Sequence, residues 1–511
     1  EEKGYPYDRY AIQFSGYLTD NSPPSTTACK LVEEWNRVYE WPRLRLATLG
    51  EFAGFMARNH AEDLPVIRGA WPDWWMDGFS SAAIQTAYGR AAHSDYIANE
   101  GLAAMATLQG APLPAATTAL REQVADDIAF YDEHTFGAAE SITDPGCENS
   151  VVQLAQKEAY VWSAVKKNRL LREQLMGLLR PHLPQTGLPA VTVFNTLGHR
   201  RSGPAAVYID HQLLPADREF ILTDEGGAEV GLQEISTREE GTWWMAGVQD
   251  IPPLGYRTYT IHTTEKSRGR AEGHRFSGRL ENNFYRIVID TVSGKIASIF
   301  DKEWNRELVD ATSPYTIGEF IYERLGKNRG QMEQKQFDEF TRVSWSGITF
   351  GPVTGGPLWE SVTLAGSVPE CASEPGILCE IRLFRNEKRV EFRWSMRKKA
   401  VTDPEAVYIA FPFHLEGGRQ VFQVAGGTIR PWREQVEGSA TDWTGIQDFA
   451  ALRNREGQIV LCSPEIPLVQ PGAINTGKFY RTPNPGRHAG PTEGWPATGA
   501  IFSWVLNNYW T

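Results

Sequence analysis

The 511-residue sequence has 22% charged and 41% hydrophobic residues, near globular averages, which excludes wholesale disorder and a fibrous repeat and leaves room for about two to four domains. A formal net charge of -12 argues against the phosphate-neutralising surface that nucleic acids require. No window approaches the ~20 apolar residues of a membrane helix, and the first residues, EEKGYPYDRY, lack the basic and apolar regions of a signal peptide.

The reading at this level is a soluble protein with neither nucleic acid nor membrane as partner, with compartment and self-association left open. Five cysteines, Cys29, Cys147, Cys371, Cys379 and Cys462, are scattered without a C-x-x-C pair and read as mostly buried thiols. The 17 tryptophans give a mild lean toward carbohydrate, because aromatic faces stack on sugar rings as well as filling cores.

In chain order, Tyr10 to Leu18 reads as a buried strand with almost no lead-in, and the chain stops in the aromatic run SWVLNNYWT. Both ends therefore read as cut from a longer protein. A polar loop, Thr19 to Ser25, precedes a helix to about Tyr39 with Leu31, Val32, Trp35 and Val38 on one stripe. Leu44 to Ala47 suits a strand, and Thr48 opens another helix through a capping box ending at Glu51. Strand, helix, strand, helix predicts part of a parallel sheet, in which loops at strand ends carry function.

Helical spacing predicts long helices over Ser81–Gln109, Ala115–Phe130 and Ser150–Leu179, and short connections make antiparallel neighbours of them, a three-helix bundle. From Pro181 the pattern changes to short β-type runs: AAVYI, EFILTD, WWMAGV and YRTYTIH, then, beyond a polar linker at Glu265–Gly273, FYRIVID, IASIFD, RVSWSGITF, EIRLFR, RVEFRWSM, AVYIAFPF and IVLCS. Residues 352–378 and 481–499 are rich in Gly and Pro and read as long loops. The fold class is thus multidomain, α/β plus α plus β: the end of a β/α domain over 1–65, a three-helix bundle over 66–182, a small β domain over 188–264 and a large antiparallel β-sandwich over 274–511.

Three stretches hold residues suited to chemistry. Asp132, Glu133 and His134 follow a helix and precede Gly137, a carboxylate and imidazole set suited to a metal or to proton transfer. Two residues apart on a helix, Asp132 and His134 point about 200° apart and converge only if the helix has ended. The plain alternative is solvated charge at a helix end, with His134 facing the helix dipole. Asp20 and Asn21 sit in the loop after the first strand, where Asp20 suits a general acid and both are also ordinary turn residues. Trp71 to Ser80 sets Trp74 and Trp75 beside Asp73 and Asp77, which suits a sugar platform or a staple between domains.

Taken in this order, the stretches resemble glycoside hydrolase family 38, the retaining, zinc-dependent α-mannosidases. The most specific phrase is LENNFYRIVIDTVSGKIASIFDKEWNRELVD, Leu280 to Asp310, which is similar to the first strands of that family's sandwich, a domain of galactose mutarotase-like type. The resemblance implies a glycosidase acting on α-mannosides or related sugars, with an oligosaccharide or glycoside as partner and Zn²⁺ as cofactor. In the family the ion is held by a His and an Asp of an early H-x-D motif, by the nucleophile Asp and by a His in the bundle.

No H-x-D occurs in the first 92 residues of this chain, whose first histidine is His60, so these parts are expected upstream. The resemblance makes Asp20 the acid/base, Asp132 and His134 metal ligands, and Asn21, Trp74, Trp75, Asp77 and Glu133 substrate contacts. The family's bundle motif is His-Asp followed by Gly. Aligning on Gly137 puts Asp132 and Glu133 in those places, and aligning on the Asp puts Tyr131 where the His belongs. That departure keeps a rival open: a non-catalytic carbohydrate-binding or scaffold protein with an eroded zinc site.

Overall fold

A computed structural model describes residues 4–14, 22–134, 139–267, 273–326, 339–436, 439–474 and 498–509. The chain divides into two units, Glu1–Arg68 and Gly69–Thr511. Among the described residues no helix is long and apolar enough to cross a membrane.

The described residues of the first unit hold two helices, α1 (Thr27–Val38) and α2 (Leu49–His60). The capping box forms as expected: Glu51 N donates to Thr48 Oγ1 at 3.2 Å and Thr48 N to Glu51 Oε2 at 2.9 Å. The parallel sheet is not found among the described residues. Leu44–Ala47 is irregular because the Asn36 side chain takes the place of a partner strand, donating to Leu44 O at 2.8 Å and accepting from Leu44 N at 3.0 Å. Residues 10–14 form no strand and expose Tyr10, Ile12 and Phe14, and residues 15–18 lie outside the described set.

The second unit opens with a 3-10 turn at Trp74–Asp77 and a one-turn helix α3 (Gly78–Ser81), followed by α4 (Ala83–Leu108), α5 (Ala115–Asp132) and α6 (Glu148–Leu179). The three long helices pack on one another. Hydrogen bonds from Gln85 to Glu158 and from Asn99 to Asn168 set α4 and α6 parallel. Arg121 to Glu100 and Thr117 to Gln174 set α5 against both. On α6 the buried positions Val161, Ala164, Asn168, Leu171, Leu175 and Leu179 recur every three or four residues, as an inward helical stripe must.

Beyond the helices the sheets formed by the described residues are antiparallel. β1 (Ala190–Asn195), β7 (Gly255–Ser267), β3 (Arg218–Thr223) and β4 (Glu229–Val230) form one sheet in that order, and β2 (Arg201–Asp210), β6 (Gly241–Ile251) and β5 (Leu232–Thr237) a second. The two enclose Leu222, Trp244, Ala246, Tyr259 and their neighbours. Among the described residues the remaining strands form a six-stranded sheet and three of four strands.

In the six-stranded sheet the central strand Glu405–Phe413 is buried throughout. Its odd-numbered Val407, Ile409, Phe411 and Phe413 enter the core shared with the four-stranded sheets. Its even-numbered Ala406, Tyr408 and Ala410 join Trp504, Phe502, Tyr131 and Val161 on the side of the helices. A strand covered on both faces needs no polar alternation, which explains the run AVYIAFPF.

The loop expected over 352–378 is instead built from three strands, Ser346–Gly355, Trp359–Ser367 and Ala372–Phe384. Its Gly and Pro residues serve a bulge there: register shifts between Ser373 and Ile377, with Gly376 at φ 94°. Likewise β7 runs three residues into the expected linker, ending at Ser267.

Candidate functional site

The richest convergence of expected site residues lies where α5 ends beside the 3-10 turn. Consecutive helical residues point about 100° apart, which sends Tyr131, Asp132 and Glu133 to three different partners. Tyr131 turns inward and is 2% exposed. Its hydroxyl lies 2.9 Å from Thr86 Oγ1, and its ring fills the space left by Gly89, where a Cβ would stand 2.8 Å from it. Burial pushes the phenol well above its ordinary value. Asp132 turns toward α4, its Oδ2 2.7 Å from His93 Nε2. Glu133 leaves the helix with ψ 135° and pairs through Oε1 with His134 Nδ1 at 2.7 Å.

His134 in turn stacks on Trp75, with 5.3 Å between centroids and 9° between planes. The Trp75 backbone is fixed by Asp73, whose Oδ1 accepts from its N–H at 2.5 Å. Below the turn, Lys157 of α6 donates to Phe130 O at 2.9 Å and to Glu133 O, closing the carbonyl end of α5. Burial holds its ammonium below the ordinary lysine value, partly offset by Glu133, whose Oε2 is 3.4 Å away.

Of the residues singled out by sequence, Trp75, Glu133 and His134 therefore come together. Asp132 is directed to His93. Asp77 is only 6% exposed, and its backbone carbonyl accepts from Asn507 Nδ2 at 2.9 Å, at the junction with the six-stranded sheet. Asp20, Asn21 and the Trp74 side chain lie outside the described residues. Sequence reasoning missed His93 and Lys157. Lys157 sits four residues before Val161 on the buried α6 stripe, and a lysine on an inward stripe was the available signal.

A structural zinc site takes four N, O or S ligands at about 2.0–2.3 Å. Among the described residues no group of three or more His, Cys, Asp or Glu side chains is placed to hold a metal. Each imidazole at this turn is instead paired with one carboxylate. The described donors do not fit the ion.

Residues 280–462 match the Glycosyl hydrolases family 38 C-terminal domain. Over this stretch, little more than a third of its length, the chain is similar to that family's C-terminal domain. The match begins at the phrase that carried the resemblance, whose turn is formed by Asp290 accepting from Val292 N and Ser293 N at 2.7 and 3.0 Å, with Gly294 at φ 72°. No curated protein matches the chain in sequence.

Among solved structures it is similar to an alpha-mannosidase from Enterococcus faecalis V583, with a TM-score of 0.64 and 12% identity over 94% of this chain and 57% of that one. It is also similar to a protein in the Glycosyl Hydrolase Family 38 from Enterococcus faecalis, with a TM-score of 0.63 and 12% identity over 95% of this chain and 59% of that one. The chain thus spans less than two thirds of these relatives. At this identity the likeness concerns the fold.

Proposed function

We propose that this chain belongs to a glycoside hydrolase acting on α-mannosides or related sugars with retention of anomeric configuration. The family 38 match over residues 280–462 carries the reading. In this reading residues 1–65 end a β/α catalytic domain, 66–182 are the three-helix bundle, 188–264 a small β domain and 274–511 the β-sandwich. The pairwise packing of α4, α5 and α6 and the shared core of the antiparallel sheets support it.

Asp20 is the proposed acid/base, resting on its sequence position alone. Its carboxyl would protonate the leaving oxygen and then deprotonate the water that releases the sugar. Trp75, stacked on His134, offers a ring edge and face to a sugar, and Glu133 and Asp132 offer acceptors to its hydroxyls. No step passes through a metal, because the described donors do not fit one.

The test compares Asp20→Asn with the wild type on 4-nitrophenyl and alkyl α-mannosides, using the full-length protein. Protonation matters most for poor leaving groups, so we expect a loss of about 10²–10⁴-fold on the alkyl glycoside and a much smaller one on the aryl glycoside. Equal losses on both would remove Asp20 from this role, and inversion by NMR would remove the retaining mechanism.

One observation favours a second reading, a non-catalytic carbohydrate-binding or scaffold protein on the same fold. Tyr131 stands where one alignment of the family motif has its histidine, and it is packed into the core. A full-length protein that binds sugar but releases no mannose would establish that reading.

A further inference from the structure

The three-stranded sheet β2–β6–β5 has two faces of opposite character. Its inner face, with Ile209, Trp244, Ala246 and Val248, is buried against the neighbouring sheet. On the outer face, strand alternation places Tyr208 and Asp210 of β2 beside Trp243 and Met245 of β6 and Ser236 of β5. Tyr208 and Trp243 are directly opposed in register, with ring centroids 5.3 Å apart and planes 53° apart. They remain 39% and 36% exposed. Gly241 makes the arrangement feasible, since a Cβ there would stand 2.4 Å from the Tyr208 ring.

The opposite end of the same face is covered. Gln233 Oε1 accepts from Leu358 N and Trp359 N, both at 3.1 Å, and Leu358 fills the space over Gly247, where a Cβ would stand 2.8 Å from it. One end of the sheet thus docks a loop of the larger β region, while the aromatic end stays open.

The chemistry of the open end selects its occupant. Two adjacent rings with polar edges suit the CH faces of pyranoses, and the Asp210 carboxylate and Ser236 hydroxyl beside them suit sugar hydroxyls. The aliphatic surround expected around the hot spot of a protein interface is thin beside the rings, where Met245 and Ala206 adjoin them, while Pro204 and Leu358 lie toward the covered end. Charge narrows the choice further: Asp210 on the face and Glu239 and Glu240 in the adjoining turn outnumber Arg238, which disfavours a polyanion. We propose that this outer face is a non-catalytic binding surface for a neutral glycan, anchored by Tyr208 and Trp243.

The test is electrophoresis of the full-length protein in native gels containing yeast mannan, dextran or a β-glucan, with polygalacturonate as the anionic comparison. We expect at least one neutral polymer to retard the wild type, Trp243→Ala and Tyr208→Ala each to weaken this about tenfold, and Trp243→Tyr to retain most of it. Circular dichroism of each variant establishes that it is folded.

The surface is refuted if no neutral polymer retards the wild type, if both alanine variants migrate as it does, or if polygalacturonate retards it equally. A wild-type dimer that sedimentation shows to be dissolved by Trp243→Ala would refute it too, assigning the face to a second copy. Hydrolysis of 4-nitrophenyl α-mannoside is read in parallel. Its absence in the wild type would count against the catalytic reading and leave this surface standing.

Discussion

At the scale of single residues, the unusual groups are ionisable side chains that the fold buries. Lys157 spends its charge on the carbonyls of Phe130 and Glu133. Replacing it by alanine orphans both and opens the end of α5, which should cost about 1–3 kcal/mol in urea unfolding. A loss below about 0.5 kcal/mol would mean that water takes over the capping.

Thiols provide a second check. Burial raises Cys371 to about 12 and puts Cys379 well above its ordinary value, whereas Cys29 is exposed. In the native protein at pH 8 a thiol reagent should label Cys29 and spare Cys371 and Cys379 until denaturant is added.

Burial also pushes Tyr285 up to about 12, from 10.0. Its folded form therefore keeps a proton that the unfolded chain releases. Its contribution to stability is complete below about pH 9 and declines between about pH 10 and pH 12. Tyr285→Phe should flatten that decline in alkaline melting curves, and an unchanged slope would assign it to other groups.

At the scale of elements, what the sequence revealed depended on whether local spacing decided the outcome. The α6 stripe, the capping box at Thr48 and the strands with repeated β-branched residues were legible because one residue's neighbours along the chain fix its environment. The strand Glu319–Leu325 was missed, since it is almost entirely buried on both faces and shows no alternation. Leu44–Ala47 misled because its backbone partner is a side chain eight residues away. At the site, Trp75, Glu133 and His134 were singled out in two separate stretches without any sign that they meet, and the pairing of Asp132 with His93 joins positions 39 residues apart and left no local trace.

The helix pair α4–α6 shows the same dependence on distant partners. Asn99 and Asn168 are wholly buried and bond to each other, Asn99 Nδ2 reaching Asn168 O and Oδ1 at 3.0 Å and Asn168 Nδ2 reaching Ala92 O at 3.0 Å. Asn168→Leu alone strands the Asn99 amide and should cost about 1–3 kcal/mol or more, while adding Asn99→Leu should recover part of that loss. Strictly additive effects in denaturant unfolding would show that the two amides do not act as one unit.

At the scale of the whole second unit, the six-stranded sheet is the shared wall: one face closes the β core and the other receives Tyr131 and Val161 from the helices and Ala82 from the turn between α3 and α4. Arg90 of α4 adds a polar clamp across the same boundary, donating to Pro464 O at 2.7 Å, Ile446 O at 3.1 Å, Ser463 O at 3.2 Å and Gln447 O. Burial lowers its guanidinium from the ordinary value, yet arginine stays charged throughout the accessible pH range.

Hydrogen bonds from a charged donor contribute about 1.5–3 kcal/mol, and these carbonyls are partly accessible to water. Arg90→Ala should therefore lower stability by about 2 kcal/mol, and Arg90→Lys by less. Hydrogen exchange should quicken around 446–447 and 463–464. Because the apolar wall between helices and sheet remains, this unit should still unfold in a single transition at a lower midpoint. If Arg90→Ala instead split unfolding into two steps, with helical signal lost apart from sheet signal, the polar clamp and not the apolar wall would be what makes helices and sheets fold as one.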